Sequence, residues 1–139
     1  MRKRRCALIT IVVLLASIFG HAADHAASVV SLDEAASLVE AAMPAKLKRL
    51  PKFELEQFKD GDRPRFYFFT TTWEGLPNGS VVIGNYAVDQ RTGDVWDAVT
   101  SCDELSTHVL RRLQAKIRLH IGLSDSGYHK IKSSGPLCD

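Results

Sequence analysis

Apolar residues recur at helical spacing, then at strand spacing, then at helical spacing again, and these stretches outline the fold. Leu32, Ala35, Ala36, Leu38, Val39, Ala42 and Met43 fall mostly three and four apart, behind Ser31-Leu32-Asp33-Glu34. Ser31 can cap the free amide of Glu34 while Glu34 reaches back, so a helix is predicted over about 32–43, limited by Pro44. From Phe53 the period becomes two: Phe53, Leu55 and Gln57 alternate with Glu54 and Glu56, which predicts a strand. Lys59-Asp60-Gly61-Asp62 supplies a turn. The next strand, from Arg65 to Glu74, sets Phe66, Phe68, Thr70 and Thr72 on one face and Tyr67, Phe69, Thr71 and Trp73 on the other. Both faces are partly apolar, which predicts a central strand covered on both sides.

Gly75-Leu76-Pro77-Asn78-Gly79 is a turn cluster, a strand follows from about Ser80 to Asp89, and Gln90-Arg91-Thr92-Gly93 turns the chain into a short last strand through Trp96. Such short connections favour an antiparallel meander. The longest helical pattern runs from Asp103 to Ile121, where Leu105, Val109, Leu113, Ile117 and Ile121 recur every four residues with Leu110 beside them. Arg111, Arg112, Lys116 and Arg118 are assigned to its outer face, and Gly122 to its end. Ser124 can cap one more short helix. The fold class expected is α+β: a meander of about four strands, with an N-terminal helix and a long C-terminal helix packed on the sheet.

The start of the chain changes how its charge is read. Arg2, Lys3, Arg4 and Arg5 precede an apolar run from Cys6 to Phe19, and Gly20-His21-Ala22 follows, in the order of a cleavable export signal. The run is too short to span a bilayer, for which about 20 residues are needed. Residues 1–22 are therefore expected to be removed, leaving 23–139 as one domain without a stable membrane anchor, periplasmic or secreted. Lysine plus arginine then falls from 18 to 14 against 16 acidic groups, a net charge of about −2. With no large basic block left, nucleic acid is a poor partner. Of three cysteines, loss of Cys6 leaves the pair Cys102 and Cys138, expected to form a disulfide that closes the C-terminal tail.

Chemistry-bearing patterns are sparse. His108 and His120 are twelve residues apart, about 120° around a helix, and cannot both ligate one metal there. His25 and His129 add no spacing that fits a metal, so no metal or other cofactor is expected. No G-x-S-x-G elbow or glycine-rich phosphate loop occurs. Asp94 with Asp97 is the one carboxylate pair weighed for catalysis, and its place beside a turn fits solvated carboxylates better, so no catalytic residue is assigned. The segment after the aromatic strand is the expected contact site: Trp73, Glu74, Leu76 and Asn78, on a loop held by a rigid scaffold.

The order helix, strand, strand, then Tyr86-Ala87-Val88-Asp89-Gln90-Arg91-Thr92-Gly93-Asp94-Val95-Trp96, resembles a PepSY domain over about 31–99, with its opening Leu32-Asp33-Glu34-Ala35-Ala36 helix and its Asp-x-x-Thr-Gly turn. Residues 101–139 form a helical extension outside that pattern. The resemblance implies an inhibitory or chaperoning module without catalytic residues. The plan of export signal and small disulfide-bonded domain is also similar to periplasmic immunity proteins that neutralise cell-wall-degrading toxins. A non-enzymatic protein that engages or inhibits a protein partner in the cell envelope is expected, with a secreted enzyme or small-ligand binder as the alternative.

Overall fold

A computed structural model of the chain describes residues 28–59, 61–75 and 79–132. The proposed export signal, Leu76, Asn78 and Cys138 lie outside them. Helix α1 spans Leu32–Ala42 and begins as its sequence dictates: the Ser31 hydroxyl accepts from the Glu34 amide at 3.3 Å, and a Glu34 carboxylate oxygen accepts from the Ser31 amide at 2.8 Å. That backbone hydrogen bond holds the Glu34 carboxyl below its usual range. The helix stops at Met43, which is extended, as the residue before a proline must be. It buries Ala35, Leu38, Val39 and Ala42, and full burial of side chains the size of Leu38 or Val39 stabilises by about 1.5–3 kcal/mol each.

After a single 3₁₀ turn at Leu47–Arg49, strands β1 (Glu54–Phe58), β2 (Phe66–Glu74), β3 (Ser80–Asp89) and β4 (Val95–Asp97) form one antiparallel sheet in the order β1-β2-β3-β4. The expected meander is therefore present, with β2 inside it. Helices α2 (His108–His120) and α3 (Asp125–Ile131) complete the described chain. Val30, Leu38, Val39, Phe69, Val88, Val95, Leu110 and Ile117 share the core between α1, α2 and one face of the sheet.

The helix layout differs from expectation in three ways. First, α2 starts at His108 rather than Asp103, because residues 103–105 run beside β4: Trp96 bridges Glu104, the Asp97 amide donates to Asp103 O at 3.0 Å, and the Leu105 amide to Val95 O at 2.8 Å. Second, the buried stripe of α2 is Leu110, Gln114 and Ile117, continued by Ile121, and Val109 is 63% exposed. Third, α1 is the helix that lies on the sheet. Helix α2 packs against α1 and reaches the sheet at the β3–β4 turn, where Gln114 Nε2 donates to Gly93 O at 3.0 Å.

Pairing of β2 with β3 shifts register between Thr71 and Thr72, so that Thr71 opposes Gly84 and Thr72 opposes Val82. Beside this bulge the Tyr86 ring folds back over Gly84, whose carbonyl accepts from the Thr71 hydroxyl at 3.1 Å. Burial, with the charge of Asp97 adding to it, raises the Tyr86 phenol above its usual range. A methyl group on Gly84 would lie 2.8 Å from the Tyr86 hydroxyl oxygen and 3.0 Å from Cζ. Gly84→Ala is therefore expected to cost about 1–3 kcal/mol, measured by urea unfolding; an unchanged midpoint would mean that the ring has room to swing away.

Candidate interaction surface

Cross-strand partners in an antiparallel sheet point to the same side, so the register assigns every strand residue to a face. The helix-side face takes Leu55, Tyr67, Phe69, Tyr86, Val88 and Val95. The other face takes Glu54, Glu56 and Phe58 from β1, and Phe66, Phe68, Thr70 and Thr72 from β2. From β3 and β4 it takes Asn85, Ala87 and Trp96. Helix α1 makes the main helix-to-sheet packing, against β2, β3 and β4, and the residues of α1 and α2 that join the core do so with the first face.

Two kinds of ground make up this second face. At one end a cluster of Phe68, Ala87, Trp96 and Ala98 is buried, and Phe66 packs against it. The Phe58 ring lies 5.5 Å from Phe68, and Phe66 lies 6.2 Å from Phe68 on its other side. Phe58 remains 42% exposed, so the apolar patch continues out to the rim. The Trp96 indole N–H is buried with no acceptor among the described residues, and leaving such a donor unsatisfied costs about 1–3 kcal/mol. Beside the patch, an open groove of about 280 Å³ is lined by Phe58, Pro64, Phe66 and Tyr67 among others. At the opposite end the ground is mixed: the Thr70 hydroxyl donates to Asn85 Oδ1 at 2.8 Å, Glu54 and Glu56 stand exposed, and so does Val82 opposite Thr72.

Buried ion pairs fix the sheet end that carries the aromatic cluster. Asp89 closes the β3–β4 turn, its carboxylate accepting from the Arg91 amide at 2.9 Å and its carbonyl from the Gly93 amide at 2.8 Å. It is also ion-paired with Arg65, whose guanidinium lies 5.6 Å from the Phe66 ring and donates to Ile131 O at 3.0 Å. Asp94, fully buried, accepts from Thr92 Oγ1 at 2.9 Å, an Arg118 guanidinium nitrogen at 2.6 Å and the Tyr128 hydroxyl at 3.2 Å. Burial raises the Asp94 carboxyl above its usual range, with Arg118 and Thr92 pulling it back. Arg118, assigned to the outer face by sequence, thus turns inward, and the Tyr128 ring covers it at 3.9 Å.

Trp73 is half-buried on the helix-side face, opposite Val81, and Glu74 is exposed in a 2.7 Å ion pair with Lys52. Exposed pairs of that kind contribute about 0–1 kcal/mol. Leu76 and Asn78 lie outside the described residues. The structure therefore brings Trp73 and Glu74 to the neck of the hairpin, closed by Gly75 N to Gly79 O at 3.1 Å, with Trp73 turned away from the aromatic patch. Asp94 and Asp97 are separately engaged: Asp97 Oδ1 accepts from the Thr100 amide at 2.7 Å and the Val99 amide at 3.1 Å. His120 Nδ1 lies 2.9 Å from Glu34 Oε1 and His129 stacks edgewise on Tyr128. Among the described residues, no three His, Cys, Asp or Glu side chains gather as a metal site, and no helix is long and apolar enough to cross a membrane.

No protein-family model and no curated protein matches the chain, so the PepSY resemblance rests on its element order and the Asp89–Gly93 turn alone. Among solved structures, the fold is similar to that of a chain from a type VI secretion system effector-immunity complex from Pseudomonas protegens, at a TM-score of 0.60 and 20% identity. The match covers 73% of this chain and 85% of that one. At this identity the likeness is one of fold.

Proposed function

We propose that this is an exported, non-enzymatic protein of the cell envelope that binds and restrains a partner protein, in the manner of an immunity protein. The observation that carries the reading is the second sheet face, whose aromatic cluster takes in no described helix residue and extends to Phe58, 42% exposed, beside Glu54 and Glu56, which are ion-paired with no described residue. An antiparallel sheet with one face in water ordinarily carries polar residues there, and an exposed aromatic side chain continuous with an apolar cluster and rimmed by polar groups is a feature of protein interfaces. The fold adds support, since its solved neighbour comes from a complex of two proteins. Export fits a partner that acts in the envelope, such as a peptidase or a wall-degrading toxin.

The Cys102–Cys138 bond belongs to the same proposal. It is motivated by the even cysteine count left after export, and Cys102 holds a left-handed φ of 56°, uncommon for a residue other than glycine. Peptide mapping of the exported protein without reductant is expected to join Cys102 to Cys138, with an N-terminus at or near Ala23. The function is tested by capture of the exported protein with its bound partners from envelope extract, followed by mass spectrometry and an activity assay on what is captured. A stoichiometric partner whose activity falls on binding, and which is lost with Phe58→Asp, is the expected result. Turnover of a substrate by the pure protein, or a partner indifferent to Phe58, would overturn it.

A further inference from the structure

The sheet has two edges, and the described chain closes only one. Residues 103–105 pair with β4, as the bridge from Trp96 to Glu104 and the flanking backbone hydrogen bonds record. Strand β1 pairs with β2 on its inner side, and no described residue pairs with its outer side. Alternate residues of Glu54–Phe58 therefore direct amide and carbonyl groups outward, a template on which another extended segment can be added.

The side chains select what can be added. Glu54 and Glu56 project on the helix-free side, both exposed and neither ion-paired with a described residue. A second copy of β1 laid antiparallel about Glu56 would set that carboxylate against its own counterpart, and like charges directly opposite destabilise a sheet pair. Charges on edge strands commonly serve only to prevent such association. Blocking alone does not account for Phe58, which is 42% exposed at the end of the same strand and lines the groove of about 280 Å³ with Pro64 and Phe66. An edge with two carboxylates at alternate positions and an aromatic groove at its end excludes acidic and like strands while offering an apolar anchor point.

We infer that β1 is a strand-addition site for an extended, basic segment of a protein partner, with lysine or arginine at alternate positions opposite Glu54 and Glu56 and an apolar side chain in the groove beside Phe58. The inference rests on the partner-binding reading above and names the chemistry of the segment that binds. Backbone hydrogen bonds supply affinity in this mode, and the side chains at alternate positions supply specificity.

The probe is a blocked nine-residue peptide, Thr-Leu-Thr-Lys-Thr-Lys-Thr-Leu-Thr, which offers the same pattern in either strand direction, together with its counterpart bearing glutamate for lysine. Both are titrated into the exported protein by calorimetry, and amide hydrogen exchange is followed residue by residue. The lysine peptide is expected to bind and to slow exchange at 54–58, and the glutamate peptide is not. The double variant Glu54→Lys/Glu56→Lys, altered only at exposed positions and checked by its unfolding midpoint, is expected to lose about tenfold in affinity for the lysine peptide and to gain for the glutamate one. Equal binding of both peptides, or protection that falls on α2 instead, would overturn the assignment. The two readings fail separately. A partner captured equally well by the charge-reversed variant overturns the edge and leaves partner binding standing. Charge-selective peptide binding at 54–58 without any captured partner supports the edge and overturns partner binding.

Discussion

Replacing Arg118 by methionine is expected to remove about 3–5 kcal/mol of stability at neutral pH, a large share of the roughly 5–15 kcal/mol that holds a domain together. The reason lies in the Asp94 carboxylate, fully buried beneath α2 and α3, which faces one cation and two hydroxyl groups. Methionine keeps most of the aliphatic bulk and removes the charge, leaving a buried anion with two neutral donors. The effect should depend on pH in a defined direction. Burial already raises the Asp94 carboxyl, and without Arg118 nothing cationic bonds to it to pull it back. A carboxyl whose folded pKa lies above its unfolded value destabilises the fold once ionised, so stability is fullest below the unfolded value and is lost as pH rises through the folded one. Urea unfolding of the variant should therefore approach wild type near pH 4 and diverge by pH 7. The double variant Arg118→Met/Asp94→Asn should recover much of the loss, because replacing both members of a buried pair is far cheaper than stranding one. A single variant within about 1 kcal/mol of wild type at pH 7 would show that water reaches the carboxylate.

Arg118 also marks where the pattern along the chain stops being informative. The meander was readable because each strand alternates with period two and each connection carries its own turn residues, from Lys59-Asp60-Gly61-Asp62 to Asp89-Gln90-Arg91-Thr92-Gly93. Helix α1 was readable from its capping box and from Pro44. In α2 the expected stripe holds for Leu110, Ile117 and Ile121, with Leu113 partly buried against the same core, whereas Val109 is exposed and Gln114 turns inward. Glutamine breaks an apolar pattern, and only the carbonyl of Gly93 waiting across the gap explains why a polar donor belongs there. Asp103–Leu105 reads as helix by local spacing, yet β4 has an edge to close and the pairing wins.

The interaction surface was half readable for a related reason. Alternation assigned Phe66 and Phe68 to one face and Phe69 to the other, which the two separate clusters match. Which of those faces would receive the helices depends on how the chain passes from α1 into β1 and returns after β4, and a period of two is blind to that. The expected contact residues Trp73 and Glu74 were chosen for the loop they lead into; the register sets Trp73 on the helix side, and Leu76 and Asn78 lie outside the described residues. Glu54 and Glu56 looked like the ordinary outer positions of a strand, and only the order β1-β2-β3-β4 makes them residues of a strand whose outer side no described residue pairs.

Gly93→Ala is expected to cost about 2–3 kcal/mol, from two sources that can be separated. Gly93 sits at φ 70°, a left-handed conformation that costs a residue with a Cβ about 1–2 kcal/mol. The added methyl group would also stand 3.3 Å from Leu38 Cδ1 and 3.8 Å from Val30 Cγ2, inside the core where α1 meets the turn. Neither neighbour can yield freely, since Leu38 and Val30 are both fully buried. Displacing the turn would disturb the hydrogen bond from Gln114 to the Gly93 carbonyl as well as the pair of Asp94 with Arg118, so the damage is not confined to one contact. Leu38→Ala alone should cost about 2–5 kcal/mol by opening a cavity. Combined with Gly93→Ala it should cost less than the sum, because the new methyl group then points into the space that leucine vacated. The shortfall from additivity measures the crowding, and what remains of the Gly93 penalty in the Leu38→Ala background measures the backbone strain. Full additivity in urea unfolding would assign the whole penalty to the left-handed backbone, and a penalty below about 0.5 kcal/mol would mean that the turn relaxes into another conformation without the core noticing.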